Sequence, residues 1–320
     1  MEPDKKPKED VKATDVSVGN EGQYPIRTVS SLTGVNPITL RAWERRYGLI
    51  KPIRTPKGHR LYTQNDIDLI QQILELLDKG ISIGQVDQYL KGRREQSVSE
   101  AKANPWSRYQ RRMLNAIVRF DTGALDQAYN DALSLYPIDL VTKHLILPLL
   151  KTLGIRWEEE QGSVAEEHFF GAYLRNKLGA RFHHHPATQD GPLLVAACLP
   201  GEQHEIGLML FCLSALNQGY RLVYLGADTP FRELKAPVER SHAAALLLSG
   251  SIKPEVSEFG HELASLVESV EVPVFVGGRT AVELNDEIVA AGAVPLGADI
   301  AQGIRKIEES FNDLNSENPA

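Results

Sequence analysis

The chain has 320 residues with 42% hydrophobic side chains, enough for two or three domains with apolar cores, and a formal net charge of −7. That acidic total excludes a protein that binds nucleic acid over its whole surface. The chain has two cysteines, and because both lie in apolar segments we expect them in the core rather than in a disulfide or a metal site. No basic start is followed by an apolar run, and no apolar stretch could span a bilayer, so we expect a cytoplasmic protein with no membrane partner.

Residues 1–23 are rich in Lys, Asp, Glu and Gly and contain no aromatic residue, which predicts a disordered arm. The acidic residues in this arm weaken the alternative, a basic arm that lies on DNA.

Residues 24–92 have the pattern of a small DNA-binding module. A short helix over residues 26–35 closes at Gly34, and Asn36-Pro37 supplies the cap and the first-turn proline of a second helix over residues 38–47. Two short helices joined by a tight turn form a helix-turn-helix, and residues 49–62, rich in Pro and Gly, indicate a β-hairpin wing. The module holds ten Lys and Arg against six Asp and Glu, a net charge of +4 on a chain whose total is −7. This local positive charge favours binding to phosphates.

The run L-R-A-W-E-R-R-Y-G-L at residues 40–49, followed by Pro52, Arg54, Gly58-His59-Arg60 and Tyr62, closely resembles the MerR family of winged-helix regulators. The resemblance covers residues 24–92 and implies that helix 37–47 enters the major groove of double-stranded operator DNA while the wing grips the flanking backbone. The residues expected to meet DNA are Arg27, Thr39, Arg41, Arg45, Arg46, Arg54, Lys57, His59, Arg60 and Tyr62. Some of them contact only phosphate, which gives affinity without sequence information, and Trp43 and Tyr47 fit core packing equally well.

Residues 93–105 predict a polar linker, and residues 106–186 predict a four-helix bundle. The helical pieces are 107–120, a helix capped by Asp121 that runs to residue 135, 138–153 and 164–182, joined by short connections. A spacer or dimerisation module is the alternative for this part. The histidines at residues 183–185 are interpreted as an exposed linker rather than a metal site.

Apolar segments at residues 193–198, 220–226, 243–249 and 272–278 alternate with helical stretches, which is typical of a doubly wound parallel sheet. The first segment is followed by E-Q-H-E-I-G at residues 202–207 and by an amphipathic helix. His204 therefore lies at the carboxyl end of a strand, where open α/β sheets bind ligands.

A neutral imidazole at His204 can coordinate a metal ion, with Glu202 holding its second ring nitrogen and Gly207 leaving space for a ligand. Taken alone, a loop histidine is more often a cap or a surface residue. Two further strands, however, end at the same rim in Ser249-Gly250-Ser251 and in Gly277-Gly278.

The spaced set E-x-H-x-x-G, S-x-S and G-G resembles the cobalamin-binding domain family, which usually has Asp where Glu202 stands. The resemblance implies that His204 replaces the cofactor's own lower base on cobalt and that the displaced nucleotide tail runs beside a serine hydroxyl and the paired glycines. The implied cofactor residues of this domain are Glu202, His204, Gly207, Ser249, Ser251, Gly277 and Gly278. An unliganded flavodoxin-like domain is the alternative.

Within the bundle, Trp157 and Glu167-His168 form a W-x9-E-H pattern. It resembles the adenosylcobalamin photoreceptor regulators, the CarH/LitR group of the MerR family, in which the bundle lies over the upper face of the cofactor. The resemblance implies that Trp157, Glu167 and His168 pack against the adenosyl group. Singly, Trp157 fits a core position and Glu167 a solvated first-turn acid. Some members carry a His directly after the Trp; here Glu158 stands there, which leaves the cobalt ligand after illumination open between His168 and water.

The predicted architecture is a multi-domain chain with a winged helix-turn-helix, then a four-helix bundle, then a flavodoxin-like (Rossmann-like) α/β cobalamin-binding domain over residues 187–313, and a disordered tail over 314–320. We expect a light-responsive repressor in which adenosylcobalamin holds a homodimer or homotetramer on DNA and photolysis releases it. A cobalamin sensor that ignores light is the alternative. A corrinoid module of a methyltransferase also fits two of the domains, but no sequence remains for a substrate-activating domain, so we expect no enzyme.

Overall fold

The computed structural model describes residues 23–91, 104–159, 162–184, 191–251, 254 and 256–317. The predicted arm up to residue 22, residue 92, residues 93–103 of the predicted linker and the last three residues of the predicted tail lie outside this part. So do the side chains of the three consecutive histidines and of Glu158.

The first unit is a winged helix built around a small antiparallel sheet with strand order β1-β3-β2. Its elements are β1 (Tyr24–Pro25), α1 (Ile26–Thr33), α2 (Pro37–Ala42), β2 (Ile53–Arg54), β3 (Arg60–Tyr62), α3 (Gln64–Asp78) and α4 (Val86–Leu90). Asn36 caps α2, since its Oδ1 accepts hydrogen bonds from the backbone of Ile38 and Thr39, both at 2.9 Å. A π-helical turn, Trp43–Tyr47, extends α2, and β2 and β3 form the wing.

The second unit consists of helices packed on one another, with bounds close to those predicted. They are α5 (Pro105–Val118), α6 (Thr122–Leu135), α7 (Ile138–Val141), which continues through a π-helical turn into α8 (Leu147–Glu158), and α9 (Val164–His184). Asn104 caps α5, so this helix begins inside the predicted linker, and Asp121 caps α6 as predicted. The third helix extends past the predicted residue 153, which places Trp157 in the last turn of α8.

The third unit is a five-stranded parallel sheet with order β5-β4-β6-β7-β8 and helices on both faces. Its elements are β4 (Leu193–Cys198), α10 (Ile206–Asn217), β5 (Arg221–Gly226), α11 (Lys235–Ser241), β6 (Ala245–Ser249), α12 (Val256–Ser269), β7 (Val274–Gly277), α13 (Arg279–Glu283), α14 (Asn285–Ala290), β8 (Val294–Gly297) and α15 (Ile300–Glu317). Four strands were predicted; β8 was missed because its four residues include Pro295. Cys198 and Cys212 are buried free thiols in this sheet's core, as predicted.

Helix α10 corrects one prediction, because it is apolar on two faces rather than amphipathic. Leu208 and Phe211 pack in the cluster under the sheet, whereas Met209 and Leu213 belong to a cluster that extends through the bundle. The helix is buried from both sides because it lies between the sheet and the bundle.

One continuous apolar cluster joins all three units. It includes Val29 and Trp43 of the winged helix, Trp106 and Leu174 of the bundle, and Met209 of α10. The described helices include none that is long and apolar enough to cross a membrane.

Candidate functional site

Glu202 organises the loop after β4. Its side chain is fully buried, and Oε1 accepts a hydrogen bond from the backbone N–H of His204 at 2.7 Å and lies 2.8 Å from Nδ1 of the same residue. Oε2 accepts from the backbone N–H of Ser251 and from its hydroxyl, the latter at 2.7 Å. This carboxylate therefore ties the loop after β4 to the loop after β6.

The contact with Glu202 determines which nitrogen of His204 faces outward. Nδ1 donates to a carboxylate, so Nε2 carries the lone pair that can coordinate a metal ion, and the side chain is 61% exposed. Burial alone would raise the pKa of Glu202, but the hydrogen bonds from Ser251 and His204 outweigh it and hold that pKa below its usual value. The carboxylate is thus ionised at neutral pH and can orient the imidazole.

Helix α9 approaches His204 from the bundle. Nε2 of His204 lies 3.5 Å from Oε1 of Glu167, in the first turn of α9, and His168 beside it is exposed. Trp157 is 52% exposed at the end of α8, which rules out the core interpretation of this residue. The structure thus brings Glu167 to His204 and presents Trp157 and His168 to solvent on the same unit.

A small cavity of about 80 Å³ lies near the loop after β4, between the sheet and the helices that cover it. Its lining includes Gly207 on α10, Ser249 at the end of β6, Gly277 at the end of β7 and Gly278 directly after it. A Cβ at Gly207 would meet no atom within 4 Å, so this position leaves open space beside the cavity. The two serines of the S-x-S pattern have different places, because Ser249 lines the cavity while Ser251 holds Glu202.

Gly278 is required by the backbone itself. Its φ is +89°, and a Cβ there would lie 2.3 Å from the carbonyl oxygen of Gly250. The G-G pair therefore lets the loops after β6 and β7 approach each other closely beside the cavity.

Glu205 was missed by the sequence analysis. It is the N-cap residue of α10, although its side chain makes no capping hydrogen bond. Its carboxylate instead pairs with Arg175 of α9 and accepts a hydrogen bond from the hydroxyl of Tyr224, on β5, at 2.7 Å. No spacing signal links these three residues, because they come from distant parts of the chain.

The predicted DNA-contacting residues divide into an exposed set and a buried set. The exposed ones lie on α1, on α2 with its π-helical extension, and on the wing: Arg27, Arg41, Arg45, Arg46, Arg54, Lys57 and His59. Thr39 and Tyr62 are fully buried, so the structure corrects the prediction that placed them on the DNA surface. The hydroxyl of Thr39 donates to the carbonyl of Leu133 at 3.3 Å, and Tyr62 packs in the core beneath the wing.

Arg60 is also withdrawn from DNA, because its side chain is 12% exposed and its Nε lies 2.5 Å from Glu44. Glu44 holds Arg54 as well, at 2.7 Å, so this one carboxylate joins the helix to both strands of the wing. Burial alone would raise the pKa of Glu44, but hydrogen bonds from Arg60 and Arg54 hold it below its usual value. Arg60 therefore joins the wing to the helix through Glu44 and presents little of its side chain at the surface.

The winged helix is docked on the bundle. Trp43 is fully buried, which confirms the core interpretation, and its indole N–H donates to the carbonyl of Leu135 at 2.9 Å. Asp78, the last residue of α3, lies 2.9 Å from Lys143 and 2.8 Å from His144 of the bundle. The face of α2 opposite the exposed arginines is thus packed against the helices of the second unit.

Comparison with known proteins identifies the group. A model described as "MerR HTH family regulatory protein" matches residues 24–93, and one described as "B12 binding domain" matches residues 109–181. The HTH-type transcriptional repressor CarH of Myxococcus xanthus is 30% identical over 274 residues, which cover 82% of this chain and 90% of CarH. The chain belongs to the CarH-like, cobalamin-binding group of MerR-type regulators.

A second curated relative and one solved structure are also similar to this chain. The HTH-type transcriptional repressor CarA of Myxococcus xanthus is 28% identical over 271 residues, covering 84% of this chain and 91% of CarA. The monomethylamine corrinoid protein of Methanosarcina barkeri shares the fold of 64% of this chain, with a TM-score of 0.52 at 19% identity, and is matched over 99% of its own length. The two family models, together with CarH and CarA, confirm the predicted transcription regulation, DNA binding and cobalamin binding.

The match described as "B12 binding domain" falls on the helical unit, residues 109–181. The bundle therefore belongs to the cofactor-binding part of a CarH-like regulator, and a mere spacer is the weaker interpretation. Among the described residues, no group of three or more His, Cys, Asp and Glu side chains could hold a metal ion. His204 can still serve as a single ligand to a metal whose other ligands come from its own macrocycle.

Proposed function

We propose that this chain is a light-responsive transcriptional repressor that binds adenosylcobalamin between its bundle and its sheet. One observation carries the proposal: Glu202 orients the Nε2 of His204 outward, toward the face of the bundle that bears Glu167, and the bundle would have to move away from His204 to admit the cofactor. The residues at the site fit the cofactor, because an outward lone pair, an open Gly207 and a cavity beside Ser249 meet the needs of cobalt and of a nucleotide tail.

The chain's residues would divide the work of holding the cofactor. His204 would be the lower ligand of cobalt, kept in the correct tautomer by Glu202. Trp157 would cover the upper face with an apolar ring, and Glu167 could accept hydrogen bonds from ribose hydroxyls, with His168 beside it. When bound, adenosylcobalamin supplies a cobalt–carbon bond that light can break.

The docking of the winged helix supports a route from this site to DNA. Glu167 lies at the start of α9, the bundle shares one apolar cluster with the winged helix, and Trp43 binds the end of α6. A ligand shifts an equilibrium only through different affinities for two states, so the pose of the bundle must differ with and without the adenosyl group. We propose that this pose sets the homodimer or homotetramer that spans two operator half-sites in the cytoplasm.

The test compares wild-type protein loaded with adenosylcobalamin in darkness and after green light. Mass is measured by size-exclusion chromatography with light scattering, and operator affinity by gel shift on the native promoter. We expect the dark form to be larger and to bind DNA at least about tenfold more tightly, because a second half-site contact is lost after illumination. Protein loaded with hydroxocobalamin, which lacks the adenosyl group, is the control and should behave like the illuminated form.

Trp157→Ala sharpens this test. Because Trp157 is exposed at the end of α8, its loss should leave cobalamin on His204 and leave folding intact while reducing the change between dark and light. Equal mass and equal operator affinity in darkness and light for the wild-type protein would overturn the photoreceptor proposal. The light-independent cobalamin sensor, which uses the same residues, would then take its place.

A further inference from the structure

Glu205, the residue after His204, joins two distant parts of the fold. Its side chain is 13% exposed; Oε2 accepts a hydrogen bond from the hydroxyl of Tyr224 at 2.7 Å, and Oε1 pairs with Nε of Arg175. Arg175 lies on α9 of the bundle and Tyr224 on β5 of the sheet. We call these three residues the Glu205 bridge.

The sheet side of the Glu205 bridge is closely packed. Burial, and then the hydrogen bond to Glu205, raise the pKa of Tyr224, so its hydroxyl stays a proton donor at physiological pH. Phe182 of α9 packs on the Tyr224 ring, with centroids 5.8 Å apart. Gly226 has a φ of +89°, and a Cβ there would lie 3.4 Å from Oε2 of Glu205. The carboxylate thus has a fixed place on β5.

The helix side connects the Glu205 bridge to the cobalamin loop. Glu167, which faces Nε2 of His204, and Arg175, which pairs with Glu205, are on the same helix. About 12 Å of helix axis separates them, since each residue adds about 1.5 Å. Two neighbouring residues of the loop therefore contact α9 at two points, which fixes both the rotation and the height of the helix over the loop.

We propose that Glu205 is a positioning residue that sets the pose of the bundle over His204. In the E-x-H-E sequence, the histidine would bind the metal and the following glutamate binds Arg175 on α9. A movement of α9 would therefore pull directly on the residue beside the metal ligand. The part of this proposal that concerns the cofactor rests on the proposed function. The contact between bundle and loop does not.

The first experiment uses the cofactor-free full-length protein. Arg175→Met removes the bundle half of the Glu205 bridge and leaves Tyr224 on Glu205. The matched control is Lys177→Met on the same helix, which breaks an ion pair with Asp126 inside the bundle. The measurement is backbone hydrogen exchange over residues 199–209, which hold the loop and the first turn of α10.

We expect Arg175→Met to exchange about three to ten times faster than wild type in this segment, and Lys177→Met to match wild type there. Glu205→Gln should exchange at the wild-type rate, because the amide oxygen of Gln can accept a hydrogen bond from Arg175 and its N–H can donate one to the oxygen of Tyr224. Glu205→Leu, which can do neither, should exchange as fast as Arg175→Met. Wild-type exchange in Arg175→Met, or equal rates in Glu205→Gln and Glu205→Leu, would overturn the proposal.

The second experiment uses adenosylcobalamin in darkness as the probe. Arg175→Met should keep the visible spectrum of His204-coordinated cobalamin, yet release the cofactor about three to ten times faster than wild type and the Lys177→Met control. A wild-type protein that binds no cobalamin would refute the proposed function, while the exchange result would still decide the role of Glu205. Binding with unchanged release and unchanged exchange would refute the Glu205 bridge alone.

Discussion

At the scale of single residues, the buried carboxylate of Glu202 decides what His204 can do. It accepts hydrogen bonds from two backbone amides, a hydroxyl and an imidazole, and so holds two loops together through one buried group. The E-x-H spacing predicted the pair of residues, but the second half of the arrangement, Ser251 on a different loop, depends on how β4 and β6 lie side by side.

Glu202→Gln is expected to weaken cobalamin binding about 10- to 100-fold. An amide has one acceptor atom where the carboxylate has two, so two of the four donors would lose their partner. A spectrophotometric titration with adenosylcobalamin in darkness measures the change. Glu233→Gln, an exposed acid on the same unit whose partner is the neighbouring Arg232, is the control and should bind as wild type does.

The pH dependence of the same variant checks the physical reason. The pKa of Glu202 is lowered from 4.5, so its carboxylate contributes stability above that value and loses it as the pH falls through the lowered pKa. The difference in unfolding free energy between wild type and Glu202→Gln should therefore stay constant from pH 7 to about 5 and shrink below about 4.5. A difference that already shrinks between pH 7 and 6 would contradict this account of Glu202.

At the scale of elements, local signals predicted the helices well and long-range contacts poorly. Asn36-Pro37 and Asp121 mark helix starts because their side chains cap the first free N–H groups, and the structure has helices at both places. The apolar run of α10 gave no indication that the bundle would cover its second face. Thr39, Arg60 and Tyr62 fit the family's DNA pattern, yet their burial follows from α6 and from Glu44, which no local pattern shows.

Within the winged helix, the exposed arginines of α2 and its extension are the residues to test. Arg41→Ala should weaken operator binding and leave cobalamin uptake unchanged, because Arg41 lies on the exposed face of α2. Loss of a base contact would cost about 1–3 kcal/mol and relax specificity, whereas loss of a phosphate contact would weaken all sequences alike and lower the salt slope by about 1.

Gel shifts on operator and unrelated DNA at several salt concentrations separate these two outcomes for Arg41. The control is Arg119→Ala, an exposed arginine at the end of α5 in the bundle. Operator affinity equal to that of wild type at every salt concentration would remove Arg41 from the DNA surface.

At the scale of the whole molecule, the three units are joined rather than strung on linkers. The apolar cluster that runs from Val29 to Met209, the Trp43–Leu135 hydrogen bond and the contacts of Asp78 with Lys143 and His144 all cross unit boundaries. Burial alone would raise the pKa of Asp78, but hydrogen bonds from Lys143 and His144 hold it below its usual value, so this contact is ionic at neutral pH. A change of bundle pose therefore has a physical path to α2, besides any change in assembly.

We expect cobalamin on His204 to control DNA binding through this joined structure. The most direct measurement is the operator affinity of wild type and of His204→Ala, each without cofactor and with saturating adenosylcobalamin in darkness, with bound cobalamin quantified in both. We predict that the cofactor raises the operator affinity of wild type by at least about tenfold. His204→Ala should bind DNA as cofactor-free wild type does, with or without adenosylcobalamin, and should lose the His-coordinated spectrum. An equal gain in affinity in both proteins, or no gain in a wild type shown to be loaded, would mean that cobalamin on His204 does not control DNA binding.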